Sequence, residues 1–411
     1  MSTASTFILL RDAEVFAPEP LGRVDVLVAA GRIALVGPDL PSLPPALGAE
    51  EIDCGGRRLL PGLIDAHVHV TGGGGESGPG SRVPPIVLES LTEAGVTTAI
   101  GVLGTDGTTR SIESLVARTL GLREEGLSAW CYTGSYELPL RTLTGSVRRD
   151  LVFVDPIVGV GELAISDPRS SQPTLDELLR IAADAHVGGL MSGKAGIVHL
   201  HLGDGPRGLD LIRRALDQAE IPARVLQPTH VNRNKPLFEE ALELAARGCH
   251  IDLTAFPPEP CSGGGGFEPG LSATDAIERY LGSGLPRDLL TCSSDGSGCL
   301  PVFDTQGQMV SMDVGRPASL ASTLTELLAR GHAPSVIAPI FTSNIARHLR
   351  LPRKGRVTAG ADADILLLDM DGHISDVMAL GRFLVRQGRF VVRGRFSGGG
   401  DAGSAGPAAS R

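Results

Sequence analysis

Six side chains of the kinds that bind divalent cations stand at the ends of apolar runs in this chain. His67 and His69 close residues 59–70, LLPGLIDAHVHV, as a His-x-His pair. In an extended strand, positions i and i+2 share a face, so the two imidazoles leave the strand end side by side. Their origins then lie about 6–7 Å apart, close enough for both to reach one ion at roughly 2.0–2.1 Å if it is zinc. A His-x-His alone can also be a plain polar strand end. The Pro61-Gly62 start and the glycines at 72–75 just beyond favour a metal site. Glu162 lies near the end of a further run, and His201, His230 (in Pro-Thr-His) and Asp295 (in Ser-Ser-Asp) end three more. Any one of these alone would more often be structural, but unpaired polar groups crowded at one mouth cost free energy. Four imidazoles and two carboxylates fit two divalent ions bridged by a carboxylate and a hydroxide, with zinc the expected metal.

Eight short runs rich in apolar or β-branched residues must position these groups, at 59–70, 96–104, 127–135, 157–166, 197–203, 224–231, 250–256 and 289–295. Helical patterns lie between most of them. Residues 174–187 carry Leu175, Leu178, Leu179, Ala182 and Ala185 at helical spacing behind a Thr174-x-x-Glu177 capping box. Ser272-x-x-Asp275 opens another helix, and 206–219 and 236–247 start with an early proline. Strands alternating with helices imply a parallel sheet, and eight such units predict an α/β fold of the closed (β/α)8 TIM-barrel type. Catalytic groups of such barrels sit at the C-terminal strand ends, where all six candidates fall. An open doubly wound sheet is disfavoured, because no G-x-G-x-x-G follows the first run.

The two ends of the chain read differently. Short strands at 7–10, 24–29 and 32–36, turning at Ala30-Gly31, are matched by strands at 364–368, 382–385 and 389–392, turning at Gln387-Gly388. The predicted organisation is a small β-sandwich domain built from both termini (1–58 and 351–396), a catalytic barrel (59–350), and a disordered Gly/Ala/Ser-rich tail (397–411).

Composition narrows the partners. Net charge is −10 with no Lys/Arg block, which argues against nucleic acid and anionic membrane. Six cysteines without a C-x-x-C pair argue against a disulfide framework and for a reducing compartment. The N-terminal stretch MSTASTFILLRDAE is too weakly apolar for a signal peptide or span, so the expected location is the cytoplasm.

The pattern resembles the metal-dependent amidohydrolase superfamily and, within it, the isoaspartyl (β-aspartyl) dipeptidases. The resemblance runs through His67-Val-His69-Val-Thr with Glu76, Leu103-Gly104-Thr105-Asp106, Thr144-Gly-Ser-Val147, Ala164-Ile-Ser-Asp167 with Arg169, His201-Leu-Gly-Asp204, Pro228-Thr-His230-Val-Asn-Arg233-Asn234 and Ser294-Asp295-Gly296. It ends in Gly360-Ala-Asp-Ala-Asp364, which is similar to the superfamily's return strand. The resemblance implies that His67 and His69 bind one metal, His201 and His230 the other, and that Asp295 contacts the first metal and the nucleophilic water. A metal-bridging hydroxide would attack the isopeptide carbonyl. Tyr136 would help stabilise the oxyanion, and Asp295 would pass the proton to the leaving amine. Glu76 would hold the ammonium of a small zwitterionic dipeptide, Arg169 and Arg233 its carboxylates, and Thr105 would add a hydrogen bond. The family's members are oligomeric, so a homo-oligomer is expected.

Three departures from the family stand out. Its fourth strand carries a lysine, carboxylated to a carbamate that bridges the metals; here Gly161-Glu162-Leu163 supplies a shorter carboxylate outright. Cys299 replaces a substrate-binding serine, and a thiol is the weaker hydrogen-bond partner. Residues 257–270, with four glycines in a row, form a longer loop than the family's after the seventh strand. Two decoys remain. His199 also spells His-x-His with His201 but would point one layer deeper, as a buried interior group. Lys194 precedes the fifth strand and reads as a loop anchor. Two further functions stay open: hydrolysis of another small amide or cyclic amide or imide, and a non-catalytic paralogue that binds a zwitterion. Retention of Tyr136, Asp295 and the four histidines speaks against the latter.

Overall fold

The computed structural model describes residues 6–256, 270–303 and 309–395. The expected loop at 257–270 (all but its last residue) and the expected tail at 397–411 lie outside the described residues. The strands of the two ends hydrogen-bond into a single continuous sheet. Among the described residues it has nine strands: Phe7–Phe16, Pro20–Ala29, Arg32–Gly37, Glu50–Asp53 and Arg58–Pro61 from the first end, and Ile365–Leu368, Ile374–Ala379, Arg382–Arg386 and Arg389–Phe390 from the second. The two ends join where Leu366 lies opposite Leu60 in antiparallel register. Ala30-Gly31 and Gln387-Gly388 both turn with positive φ at each residue, as a tight hairpin requires. Leu10, Val26, Ile33, Leu59 and Leu367 fill this sheet's core.

The apolar run at 59–70 is not one strand. Arg58–Pro61 belongs to the terminal sheet, and Leu63–Val68 opens the second unit. The break falls at Gly62, where a Cβ would lie 2.2 Å from Thr97 Oγ1; only glycine lets the backbone pass that close. From there the fold is TIM-type. Leu63–Val68, Val96–Gly101, Ser128–Thr133, Ile157–Ile165, Ile197–Leu202 and Leu226–Thr229 form a parallel six-stranded sheet in sequence order. Ile251–Thr254 and Leu290–Ser293 form a parallel pair. A parallel bridge between Val68 and Gly296 ties the end of the first strand to the segment that follows the last. Most residues of these strands are buried on both faces, which explains why they read as continuous apolar runs rather than alternating ones.

Helices cover the outside. The capping box at Thr174 and Glu177 is formed reciprocally, and its helix runs Leu175–Ser192. It continues past the expected end because Gly189 can pack directly on Gly196, where a Cβ would come within 2.7 Å of the Gly196 Cα. It stops at Gly193 in the left-handed conformation. The helix expected from Pro206 starts only at Asp210, since Gly208 adopts φ +44 and breaks the first turn. Among the described residues no helix is long and apolar enough to cross a membrane.

Candidate active site

The C-terminal ends of the parallel strands converge on one buried polar cluster. His67 and His69 leave the first strand with ring centroids 5.3 Å apart, and His67 lies 5.0 Å from the His230 ring. Glu162, on the fourth strand, projects between them. Its Oε1 is 3.5 Å from His67 Nε2 and 3.4 Å from His69 Nε2, while Oε2 is 3.6 Å from His230 Nε2. Asp295 Oδ1 is 3.5 Å from His67 Nε2 and 3.1 Å from His69 Nε2. His230 and Asp295 adopt φ of 61° and 53°, a left-handed turn that L-residues hold only where the surroundings enforce it. Gly104 keeps the space open, since a Cβ there would sit 2.7 Å from His69 Cε1.

Two triads, His67–Glu162–His230 and His67–His69–Asp295, offer ligand atoms within 4.8 Å of one another. His201 is adjacent but differently engaged. Its Nδ1 lies 3.1 Å from Glu162 Oε2, whereas Nε2 turns to Asp167 Oδ2 at 3.0 Å. Whether a metal suits the cluster can be judged from its buried atoms. His67 Nε2, Glu162 Oε1 and Asp295 Oδ1 face one another with no hydrogen-bond partner among the described residues. Orphaned buried polar atoms are costly, and a divalent cation at their centre would satisfy all three.

The electrostatics agree. Burial alone would raise the Glu162 carboxyl, but the His67 charge, a hydrogen bond with His201 and the nearby His230 hold it well below the usual carboxylate range. Asp295 resists burial in the same way through His69 and His67, and sits at about 2. Burial pushes His230 down to about 3. Burial also depresses His67, yet the facing Glu162 and Asp295 outweigh it and draw the imidazole up to about 9. Two fixed carboxylates thus make a negative field that favours a cation at this point.

The residues expected to hold substrate lie on the outer side. Tyr136 OH is 2.7 Å from His201 Nδ1, and the Arg169 guanidinium lies 5.6 Å from the Tyr136 ring. Arg169 pairs with Glu76 at 3.1 Å and with Asp167 at 2.8 Å, so the two groups expected to recognise opposite charges face each other. Glu76 and Thr105 line a cavity of about 370 Å³ with Gly75, Arg82 and Asp106. Arg233 reaches Asp204 at 3.4 Å and leaves its buried Nε without a partner among the described residues. Cys299 is half-buried against the glycine turn at Gly74, and burial pushes its thiol up to about 12.

Sequence reasoning missed several supports. Arg110 is buried and donates to the carbonyls of Thr71, Gly73, Gly74 and Val83, moulding the glycine loop that carries Glu76. Asp167 buttresses both His201 and Arg169. Asp65 accepts from the backbone N–H and hydroxyl of Ser294, next to Asp295. Asp65 left a trace, two residues before His67 and so on the same strand face, and Asp167 stood in the Ala164–Asp167 segment of the resemblance without a role. Lys194 anchors a loop, as expected, by donating to the Val154 carbonyl at 2.6 Å.

A profile of the amidohydrolase family matches residues 58–393. A beta-aspartyl dipeptidase from the thermophilic, keratin-degrading Fervidobacterium islandicum AW-1, solved in complex with beta-Asp-Leu dipeptide, is 44% identical with a TM-score of 0.86. The likeness covers 93% of this chain and 98% of that one. A second structure of beta-aspartyl dipeptidase from that organism is 42% identical over the same shares, with a TM-score of 0.83. The adenine deaminase of Paracoccus denitrificans is 25% identical over 92% of this chain. The chain spans 57% of that relative's length.

Proposed function

Because the chain belongs to the amidohydrolase family, on the branch of the β-aspartyl dipeptidases, and is therefore a metal-dependent hydrolase, we propose that it cleaves the isopeptide bond of β-aspartyl dipeptides. The observation that carries this reading is the buried His–carboxylate cluster lying beside a paired Glu76 and Arg169. In this reading the two sets of parallel strands close as one (β/α)8 barrel with the cluster at its mouth. His67, His69, His201, His230, Glu162 and Asp295 would hold two divalent ions, zinc foremost. Such ions lower the pKa of a water to near neutrality and polarise a carbonyl.

The chain's own groups do the rest. Asp295 takes the proton of the attacking water and delivers it to the leaving amine. Tyr136, kept protonated because burial and the nearby Glu162 push its hydroxyl well above its ordinary value, donates a hydrogen bond to the developing oxyanion. Glu76 binds the substrate ammonium, and Arg169 and Arg233 bind carboxylates. An ammonium and a carboxylate on one substrate would replace both halves of the half-buried Glu76–Arg169 pair, so neither charge is left unpaired.

The test is a substrate panel for the zinc-loaded protein. Release of aspartate and leucine is expected from β-Asp-Leu, with none from α-Asp-Leu or the N-acetylated β-dipeptide. Losing the ammonium partner of Glu76 corresponds to roughly 3–5 kcal/mol, a drop of more than about a hundredfold in kcat/KM. Hydrolysis of a cyclic imide with no cleavage of any β-aspartyl dipeptide would overturn the dipeptidase assignment while leaving the family intact.

A further inference from the structure

His199 stands outside the proposed catalytic set, although it spells a second His-x-His with His201. It is fully buried, and its Nε2 lies 2.8 Å from His67 Nδ1. Its other nitrogen, Nδ1, lies 3.1 Å from Gln227 Oε1. Gln227 Nε2 in turn lies 3.3 Å from Thr291 Oγ1, and Thr291 Oγ1 lies 2.6 Å from Asp252 Oδ1. These groups run across the barrel interior beneath the cluster, and the chemistry of each fixes the direction of the next.

Asp252 is surrounded by the hydroxyls of Thr229, Thr291 and Ser293, and an ionised carboxylate only accepts. Thr291 therefore donates to Asp252 and accepts from the Gln227 amide nitrogen. That places the Gln227 carbonyl oxygen toward His199, whose Nδ1 must carry the proton. A neutral imidazole has one N–H, so His199 Nε2 is left as an acceptor. Only the Nδ1–H of His67 can fill it, which commits that nitrogen and leaves His67 Nε2, facing Glu162 and Asp295, as the one that would bind a metal on giving up its proton. Tyr132 stacks on the His199 ring at 5.1 Å and 17°, holding it in that plane.

We propose that His199, oriented by Gln227, is a positioning residue that fixes the ring and tautomer of His67 for metal binding. The inference rests on the metal-cluster reading above and extends it to residues beyond the ligands. Groups that hold a ligand imidazole through its second nitrogen typically contribute 10–100-fold to metal affinity. An imidazole in this place, itself aligned by an amide, does the work usually done by a carboxylate or a carbonyl.

The test compares His199→Phe with His199→Gln in the full chain, measuring zinc affinity by competition with a chromophoric chelator. Phenylalanine keeps the ring and its stacking on Tyr132 but offers no acceptor. Glutamine loses the ring but places Oε1 as many bonds from Cα as the imidazole Nε2. Zinc affinity should fall about 10–100-fold in His199→Phe and stay close to wild type in His199→Gln, with altered absorption of the cobalt-substituted site only in the former. Thermal midpoints taken without metal report packing separately. Gln227→Leu, which leaves the His199 tautomer unset, should also weaken zinc. Equal loss in the Phe and Gln variants, or wild-type affinity in His199→Phe, would overturn the proposal and leave His199 as packing. A wild-type chain that retains no zinc would instead overturn the metal reading beneath it. Should His199→Phe not fold, wild-type zinc affinity in Gln227→Leu overturns the relay on its own.

Discussion

Glu162 is a carboxylate facing four histidine rings, with no Arg or Lys paired to it among the described residues. Its charge faces imidazoles, so a neutral replacement removes one of the cluster's two negative charges. Glu162→Gln keeps the shape and removes the charge. Metal content should fall at least about tenfold, the lower bound expected when a metal site loses an essential group. Elemental analysis of the purified variant checks it; full metal content in Glu162→Gln would show that the carboxylate is not a ligand. The same residue makes a second readout available. A carboxylate built into the chain needs no carbon dioxide, so metal-free protein given zinc should regain activity equally with and without bicarbonate. A bicarbonate requirement would point to a lysine carbamate. Lys194 is poorly placed for one, since its ammonium is committed to the Val154 carbonyl before the fifth parallel strand begins.

At the scale of elements, the ends of strands and helices carry the surprises. His250 immediately precedes the strand Ile251–Thr254, and His348 closes the helix Ser343–His348. Their rings stack with centroids 3.8 Å apart. Burial holds His250 down at about 4, opposed by Asp288 and assisted by Arg347 and Arg224. Burial and the facing His250 hold His348 well below its ordinary value. Both groups are neutral in the fold and protonate more readily when unfolded. The His250 contribution to stability is therefore complete above pH 6.5 and lost as pH falls through about 4, and His348 acts in the same direction. The slope is up to about 1.4 kcal/mol per pH unit for each ring. Thermal midpoints between pH 7 and 5 should fall more steeply in the wild type than in His250→Gln; parallel curves would dismiss the pair as an acid-sensitive element. Nothing in the sequence announced this stack. The eight apolar runs, the capping box at Thr174 and the six strand-end ligand candidates were legible because each depends on local periodicity and on where strands stop. His199, Asp167 and Arg110 were not, because their roles depend on the stagger between neighbouring strands and on loops folding back. Gly62 was visible as a residue but not as the boundary between two sheets, since that follows from Thr97 lying against it.

At the scale of the whole molecule, one buried ammonium links the terminal sheet to the parallel-stranded unit. Lys354 Nζ lies 2.6 Å from Asp364 and 2.9 Å from Asp362, and it donates to the hydroxyl of Ser128. Ser128 begins the third parallel strand, whereas Asp364 directly precedes the return strand Ile365–Leu368 of the terminal sheet. The Gly-Ala-Asp-Ala-Asp motif was evident in the sequence; its cation, ten residues earlier, was not. Asp364 is buried, and burial raises its carboxyl even with Lys354 beside it. Lys354→Met keeps the aliphatic stem but leaves two buried carboxylates, of which, among the described residues, only Asp362 retains another cation, Arg353 at 3.0 Å. Removing one partner of a buried pair costs roughly 3–5 kcal/mol, whereas neutralising both removes the uncompensated charge. Chemical denaturation should therefore show a large loss of stability in Lys354→Met, partly restored when Asp364→Asn is added. If the single variant matches the wild type, or if the second substitution deepens the loss, Lys354 is not the charge that holds the return strand to the parallel-stranded unit.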